Sequence, residues 1–284
     1  MRVTITGASG LIGSKLVAAL TERGDEVTKV SLRNGPPDPA DLADRDAIVH
    51  LAGENVAQRW TDSARREIND SRERGTRQLV EAIARADPRP RALISSSAVG
   101  YYGPHGDERL DEDTPPGDDF LAGVCVTWER EADRAAQLGL RVVKVRTGVV
   151  LDQHGGALSK MLLPFKLGGG GPVAGGGQYM PWVHVDDVVG IYLRAIDDPA
   201  WRDAVNATAP EPVTNRTFSK ALGKALHRPA VAPIPAAAIR LLYGDMAEIV
   251  TKGQRVVPKR TLELGYTYQH PALDEALNAA VGQG

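Results

Sequence analysis

Thr6-Gly7-Ala8-Ser9-Gly10-Leu11-Ile12-Gly13 is the stretch on which the fold turns. An apolar run, Val3–Thr6, precedes it. Leu11, Ile12, Leu16, Val17 and Leu20 follow on one helical face. A glycine pattern between a strand and an amphipathic helix is the dinucleotide-binding signature, because each glycine has a physical task. Gly7 permits the tight turn, Gly10 lets backbone approach a pyrophosphate, and Gly13 lets helix and sheet pack closely. Ser9, Leu11 and Ile12 fall in the same turn, where free N–H groups at a helix start favour an anion.

Outward from this turn, apolar runs of strand type recur at Val27–Leu32, Ala47–Leu51, Ala92–Ser96 and Val142–Leu151, with helical patterns between them. This alternation predicts an α/β fold, a Rossmann-type doubly wound parallel sheet with helices on both faces. Only the proline-rich segment Asn34–Arg45 joins the second and third strands, so the sheet is expected to be trimmed at that edge. Beyond Leu151, Gly168–Gly171 and Gly175–Gly177 flank a loop. Tyr179–Val185 reads as a strand, and Asp186 or Asp187 as the cap of the next helix. Short helices are expected at Thr217–Leu226, Ala236–Tyr243 and Ala272–Ala280. The resulting division is a dinucleotide-binding domain over 1–152, to which 182–209 returns, and a smaller C-terminal substrate lobe over 153–284.

The cofactor's identity is read after the second strand. Dinucleotides lacking a 2′-phosphate usually meet an acid there. Here Val30-Ser31-Leu32-Arg33-Asn34 offers none, and Arg33 suits a 2′-phosphate, which predicts NADP(H). Leu51, Ala52 and Gly53 end the third strand with small residues against which the adenine-ribose half can lie.

A formal charge of −2 argues against nucleic acid as a partner. The single cysteine, Cys125, excludes an internal disulfide and suits a reducing compartment. Met1–Gly7 opens directly on a strand pattern, and no apolar run has the length of a membrane span. A cytoplasmic protein, with a small-molecule substrate and a homodimer as an open expectation, is the resulting reading.

TGASGLIG at 6–13, SSSAVGYYG at 95–103 and WVHVDDV at 182–188 resemble the extended short-chain dehydrogenase/reductases. AGEN at 52–55, RWT at 59–61, RTGVVL at 146–151 and GQRVVPKR at 253–260 are similar to its epimerase/dehydratase-like subgroup of the YfcH or SulA type. The resemblance implies NADP(H) and a C-terminal lobe closing over a small-molecule cleft. It also implies a serine with a Tyr-x-x-x-Lys pair, whose lysine lowers the phenol's pKa for proton exchange. Ser97 matches the serine. None of the seven tyrosines has a lysine four residues on, and the matching helix carries Leu121 and Cys125 instead. Cys125 is read as a small apolar residue beside the nicotinamide. Tyr101 or Tyr102 is the expected surrogate proton donor, with Ser97 orienting the substrate. His184 and Asp186–Asp187 are read as structural, and no metal site is expected.

Two functions follow. One is an NADP(H)-dependent oxidoreductase or epimerase acting on a small polar substrate in a polar-lined cleft. The other is an NADP(H)-binding sensor or regulatory protein without turnover.

Overall fold

The structure, a computed structural model, describes residues 1–282. In chain order the first strands and helices are β1 (Arg2–Thr6), α1 (Leu11–Glu22), β2 (Glu26–Val30), β3 (Ala47–His50), α2 (Asp62–Arg85) and β4 (Ala92–Ala98). Next come β5 (Arg109–Leu110), α3 (Phe120–Asp133), β6 (Arg141–Thr147), β7 (Val149–Asp152) and α4 (Gly156–Lys166). Then follow β8 (Tyr179–Met180), β9 (Trp182–His184), α5 (Val185–Asp197), β10 (Asp203–Ala207), β11 (Val213–Thr214) and α6 (Asn215–Ala225).

Six strands form one parallel sheet in the order β2-β1-β3-β4-β6-β10. It ends on β2, because the segment after β2 supplies one 3-10 turn, Pro39–Asp41, and no further strand. The chain leaves β1 to one side for β2 and returns on the other for β3. The carboxyl ends of β1 and β3 therefore make the switch point at which open α/β sheets bind ligands.

Both faces of the sheet are covered. Val3, Ile5, Val49, Ile94 and Val145 pack with Leu16 and Leu20 of α1 and Val188, Ile191 and Tyr192 of α5. Ile48, Leu93 and Val142 pack with Leu79, Val80 and Ile83 of α2 on the opposite side. A separate core of Leu158, Leu162, Phe165, Trp182, Phe218, Leu222 and Leu277 lies under α4, α6 and the helix Leu273–Ala280. Because β10 pairs with β6, the segment after β9 rejoins the main sheet.

Three expected elements are divided or capped differently. Val142–Leu151 is two strands. A Cβ on Gly148 would stand 2.2 Å from the Pro181 carbonyl oxygen, and there the chain leaves the sheet so that β7 can pair with β9. Tyr179–Val185 is likewise two strands, split at Pro181, which lacks the N–H a ladder needs. The N-cap of α5 is His184 rather than an aspartate: its Nδ1 accepts from the Asp186 N–H at 3.2 Å.

Candidate active site

The glycine turn builds a cradle. Gly7 has φ +72°, and a Cβ on it would lie 2.6 Å from the Leu51 carbonyl carbon. A Cβ on Gly13 would meet the Gly7 oxygen at 2.2 Å. Gly7 thus needs glycine for its positive φ and for the close approach of the chain leaving β3, and Gly13 for packing of the turn itself. Gly10 differs: a Cβ there would meet only the Gly7 oxygen, at 3.3 Å, and would project outward. It is the N-cap of α1, with no side-chain cap and no acid in the first turn. A cavity of about 360 Å³ lies over it, lined by Gly7, Gly10, Leu11, Ile12, Leu51, Ser96 and others. Unfilled N–H groups at a helix start, with nothing negative beside them, fit a pyrophosphate. Ser9 is exposed in the same turn.

Arg33 follows β2 and is exposed. Its backbone N–H bonds Ser31 Oγ at 3.3 Å, and its guanidinium has no ion pair among the described residues. Leu51 and Ala52 are half-buried at the end of β3. Gly53 is exposed and lies against the Arg72 guanidinium.

A larger cavity of about 510 Å³ adjoins the cradle, and Gly148 and Val149 line both. Its walls include Trp60, Phe120, Leu121, Val124, Cys125 and Trp128, with Ile249 from the C-terminal segment. The expected polar cleft is therefore largely apolar, with a few charged groups. Arg65 is paired with Asp245 at 2.7 Å, and Lys252 with Glu248 at 3.0 Å. Asp119 caps α3 by accepting from the Ala122 N–H at 2.8 Å. Cys125 is buried, and burial, aided by the nearby Glu129 charge, pushes its thiol up to about 12. It is accordingly a neutral apolar wall and not a nucleophile or base at neutral pH.

Ser97, Tyr101 and Tyr102 lie elsewhere. Side chains alternate along β4, so Ser96 faces the cradle and Ala98 the larger cavity while Ser97 turns away. Ser97 donates to Glu129 Oε1 at 2.7 Å. Glu129 is held bidentately by Arg146, with Nε–Oε1 2.8 Å and Nη2–Oε2 2.9 Å. Tyr102 is fully buried. It donates to Asn206 Oδ1 at 2.7 Å and accepts from Arg146 Nη1 at 3.1 Å, and burial pushes its phenol well above the ordinary range. Tyr101 stacks under the Arg146 guanidinium at 3.4 Å. Ser97 and Tyr102 thus join one buried polar network around Arg146, against which the half-buried Tyr101 ring stacks, and neither phenol lines either of these two cavities.

Arg72, on α2, lines the larger cavity without any sequence signal that marks it. Arg65, Arg66, Arg74 and Arg77 share its helix, and nothing local separates it from these solvated neighbours. His184, Asp186 and His270 also come together, with Asp186 Oδ2 3.4 Å from His184 Nδ1 and 3.5 Å from His270 Nε2. The His184 lone pair already serves the α5 cap, and none of the three lines either cavity.

Residues 3–207 match the model of the NAD dependent epimerase/dehydratase family, and residues 234–280 match a domain of unknown function (DUF1731). The human epimerase family protein SDR39U1 is 40% identical over 293 residues, covering 99% of this chain and all of that protein. YfhF of Bacillus subtilis, another epimerase family protein, is 31% identical, covering 99% of this chain and 98% of its own length. The crystal structure of the human protein, determined with NADPH, superposes with a TM-score of 0.91 at 39% identity, covering 99% of both chains. A nucleoside-diphosphate sugar epimerase from Corynebacterium glutamicum superposes with a TM-score of 0.82 at 33% identity, over 99% of this chain and 58% of that one.

Proposed function

Because this chain belongs to the NAD dependent epimerase/dehydratase family, we propose that it is an NADP(H)-dependent oxidoreductase that reduces the carbonyl of a small molecule. The observation that carries the reading is the adjacency of the two cavities, which share Gly148 and Val149 in their linings. A dinucleotide on the α1 cradle would extend its far end towards a second, apolar compartment able to take a substrate. The cradle around Gly7, Gly10, Leu11, Ile12 and Leu51 would hold the pyrophosphate, and Arg33 the 2′-phosphate. The NADPH in the human relative's crystal supports the same cofactor here.

When bound, the nicotinamide supplies the hydride. The chain's own part is to orient the carbonyl and exclude water, which the walls Trp60, Phe120, Leu121 and Trp128 suit. Reduction is favoured over epimerisation because epimerisation needs a base to take a proton from an alcohol. Cys125, with its thiol pushed up to about 12, is no base near neutral pH. The proton for a new alcohol would come from a single water carried in with the substrate, while the apolar walls keep bulk water out. Binding without turnover is the second reading, and the phenols' absence from the cavity walls favours it.

Fluorescence titration with NADPH tests binding, and a panel of carbonyl compounds followed by loss of reduced-nicotinamide absorbance tests chemistry. Gly10→Val should abolish NADPH binding while the circular dichroism spectrum stays unchanged, since the added side chain points into the cradle. Retained binding in that variant would place the phosphates elsewhere. Tight binding with no carbonyl consumed would favour the sensor.

A further inference from the structure

The larger cavity contains one positive charge with no ion-pair partner among the described residues, the Glu54 carboxylate acting on it only from a distance. Arg72 projects from α2 into it. Its Nη1 donates to the Ile68 carbonyl at 3.1 Å and to Ser71 Oγ at 3.5 Å, so one corner of the guanidinium is anchored. Its Nε and Nη2 have no hydrogen-bond acceptor among the described residues, and no carboxylate lies within salt-bridge distance. The other two cations in the wall, Arg65 and Lys252, are each paired with an acid. The guanidinium carbon sits 4.9 Å from the centre of the Trp128 ring, which gives the fork a fixed plane. Burial holds Arg72 below its ordinary value, a sign that the charge is poorly compensated.

A guanidinium stays charged in proteins, and a charge set among apolar walls is costly unless paired. Two parallel N–H donors in one plane match a carboxylate or phosphate bidentately. We propose that Arg72 is the anion anchor of this cavity and that its second ligand is an aromatic or conjugated carbonyl compound bearing a carboxylate. The inference rests on reading the larger cavity as the substrate compartment. The aromatic walls Trp60, Phe120 and Trp128 suit an aromatic or conjugated group, which packs on ring faces and edges at low entropic cost. The anion is assigned to the second ligand because Arg72 lines the larger cavity and not the α1 cradle; its guanidinium also lies against Gly53, so the NADPH affinity of the variants is part of the test.

The test uses the full chain, with and without saturating NADP+, and two probes of equal shape, trans-cinnamate and cinnamamide, by calorimetry. The wild-type protein should bind cinnamate roughly tenfold or more tighter than the amide, the scale of a hydrogen bond to a charged group. Arg72→Gln should remove that preference and leave NADPH affinity unchanged. Arg72→Lys, which keeps the charge and loses the fork, should retain part of it. Both substitutions lose the bond to the Ile68 carbonyl and the stacking on Trp128 and should lower Tm slightly, so the preference for cinnamate over the amide, which a purely structural role would not produce, is the deciding readout. Equal binding of the two probes, or binding of neither, overturns the proposal. A loss of NADPH affinity in Arg72→Gln matching the loss for cinnamate also overturns it, since the anion would then be a cofactor phosphate. Failure of NADPH to bind the wild-type protein would sink the cofactor reading instead, while the probe comparison on cofactor-free protein would still decide the role of Arg72.

Discussion

Arg33 and Tyr102 stand for two kinds of residue that look alike in a sequence. Each is a polar side chain next to a strand end, and each was expected to face a ligand. Arg33 is exposed after β2, with its guanidinium uncommitted among the described residues. A 2′-phosphate would gain a charge-assisted contact worth about 1.5–3 kcal/mol. Arg33→Ala should therefore weaken NADPH binding by roughly 10- to 100-fold and leave NADH binding unchanged. Calorimetry giving equal NADPH and NADH affinities in the wild-type protein would remove the assignment. Tyr102, by contrast, has its hydroxyl committed to Asn206 and Arg146 and faces no cavity. Tyr102→Phe leaves the Asn206 oxygen and one Arg146 donor unsatisfied, a loss of about 1–3 kcal/mol. Urea unfolding should register that loss with NADPH affinity unaltered. Unchanged stability with abolished carbonyl reduction would restore the phenol as proton donor.

At the scale of elements, a buried imidazole joins β1, β3 and α2. His50 ends β3, with Nδ1 2.7 Å from Thr6 Oγ1 and Nε2 3.0 Å from Thr76 Oγ1. A neutral ring, with one donor and one acceptor nitrogen, is matched by two hydroxyls that can each donate or accept. Burial, and secondarily the Arg72 charge, hold its pKa down to about 4, against 6.5 for an open histidine. Below about pH 6.5 the unfolded chain takes up a proton that the native ring refuses. Stability from this residue is thus complete above pH 6.5 and is lost as pH falls towards about 4. The slope approaches about 1.4 kcal/mol per pH unit for one proton. Urea midpoints measured across that window should fall more steeply for the wild-type protein than for His50→Gln. Identical pH profiles would mean the ring is charged or exposed in the native state.

At the scale of the whole molecule, a well-packed sheet stands beside a more open C-terminal wall. No side chain of the helix Ala236–Tyr243 is buried, and Leu241 and Leu242 are 78% and 65% exposed. The segment after it reaches the cavity through Asp245, Glu248 and Lys252 and is tied to α2 by the Arg65–Asp245 pair. Anything that binds the native state and not the unfolded one raises stability, by about 2.7 kcal/mol at a hundredfold excess over Kd. Saturating NADPH should therefore raise Tm by several degrees, and NADH at the same concentration by less. A scan in which neither dinucleotide moves Tm would count against the cradle as a cofactor site. Among the described residues no helix is long and apolar enough to cross a membrane.

What the sequence determined by itself is local. Gly7, Gly10 and Gly13, the strand before them and the helix after them lie within one short stretch, and the positive φ at Gly7 and the close contact of Gly13 with Gly7 arise inside it, although the approach of Leu51 to Gly7 comes from β3. The trimmed sheet edge was readable for the same reason: Asn34–Arg45 is too short and too rich in proline for a helix and a strand. Tertiary structure decided the rest of the site. Ser97 and Ala98 are adjacent in sequence, yet strand alternation sends one into the Glu129–Arg146 network and the other to the cavity. The face on which Tyr102 is buried depends on Asn206, 104 residues away on β10. Arg72 is one of several arginines on α2, and only the packing of that helix against Trp128 and Gly53 turns it inward. A motif can announce where a phosphate binds because it carries the binding geometry in its own backbone. A substrate cavity cannot be announced in that way, because its walls are brought together from α2, α3, the β6–β7 break and the C-terminal segment by the fold alone.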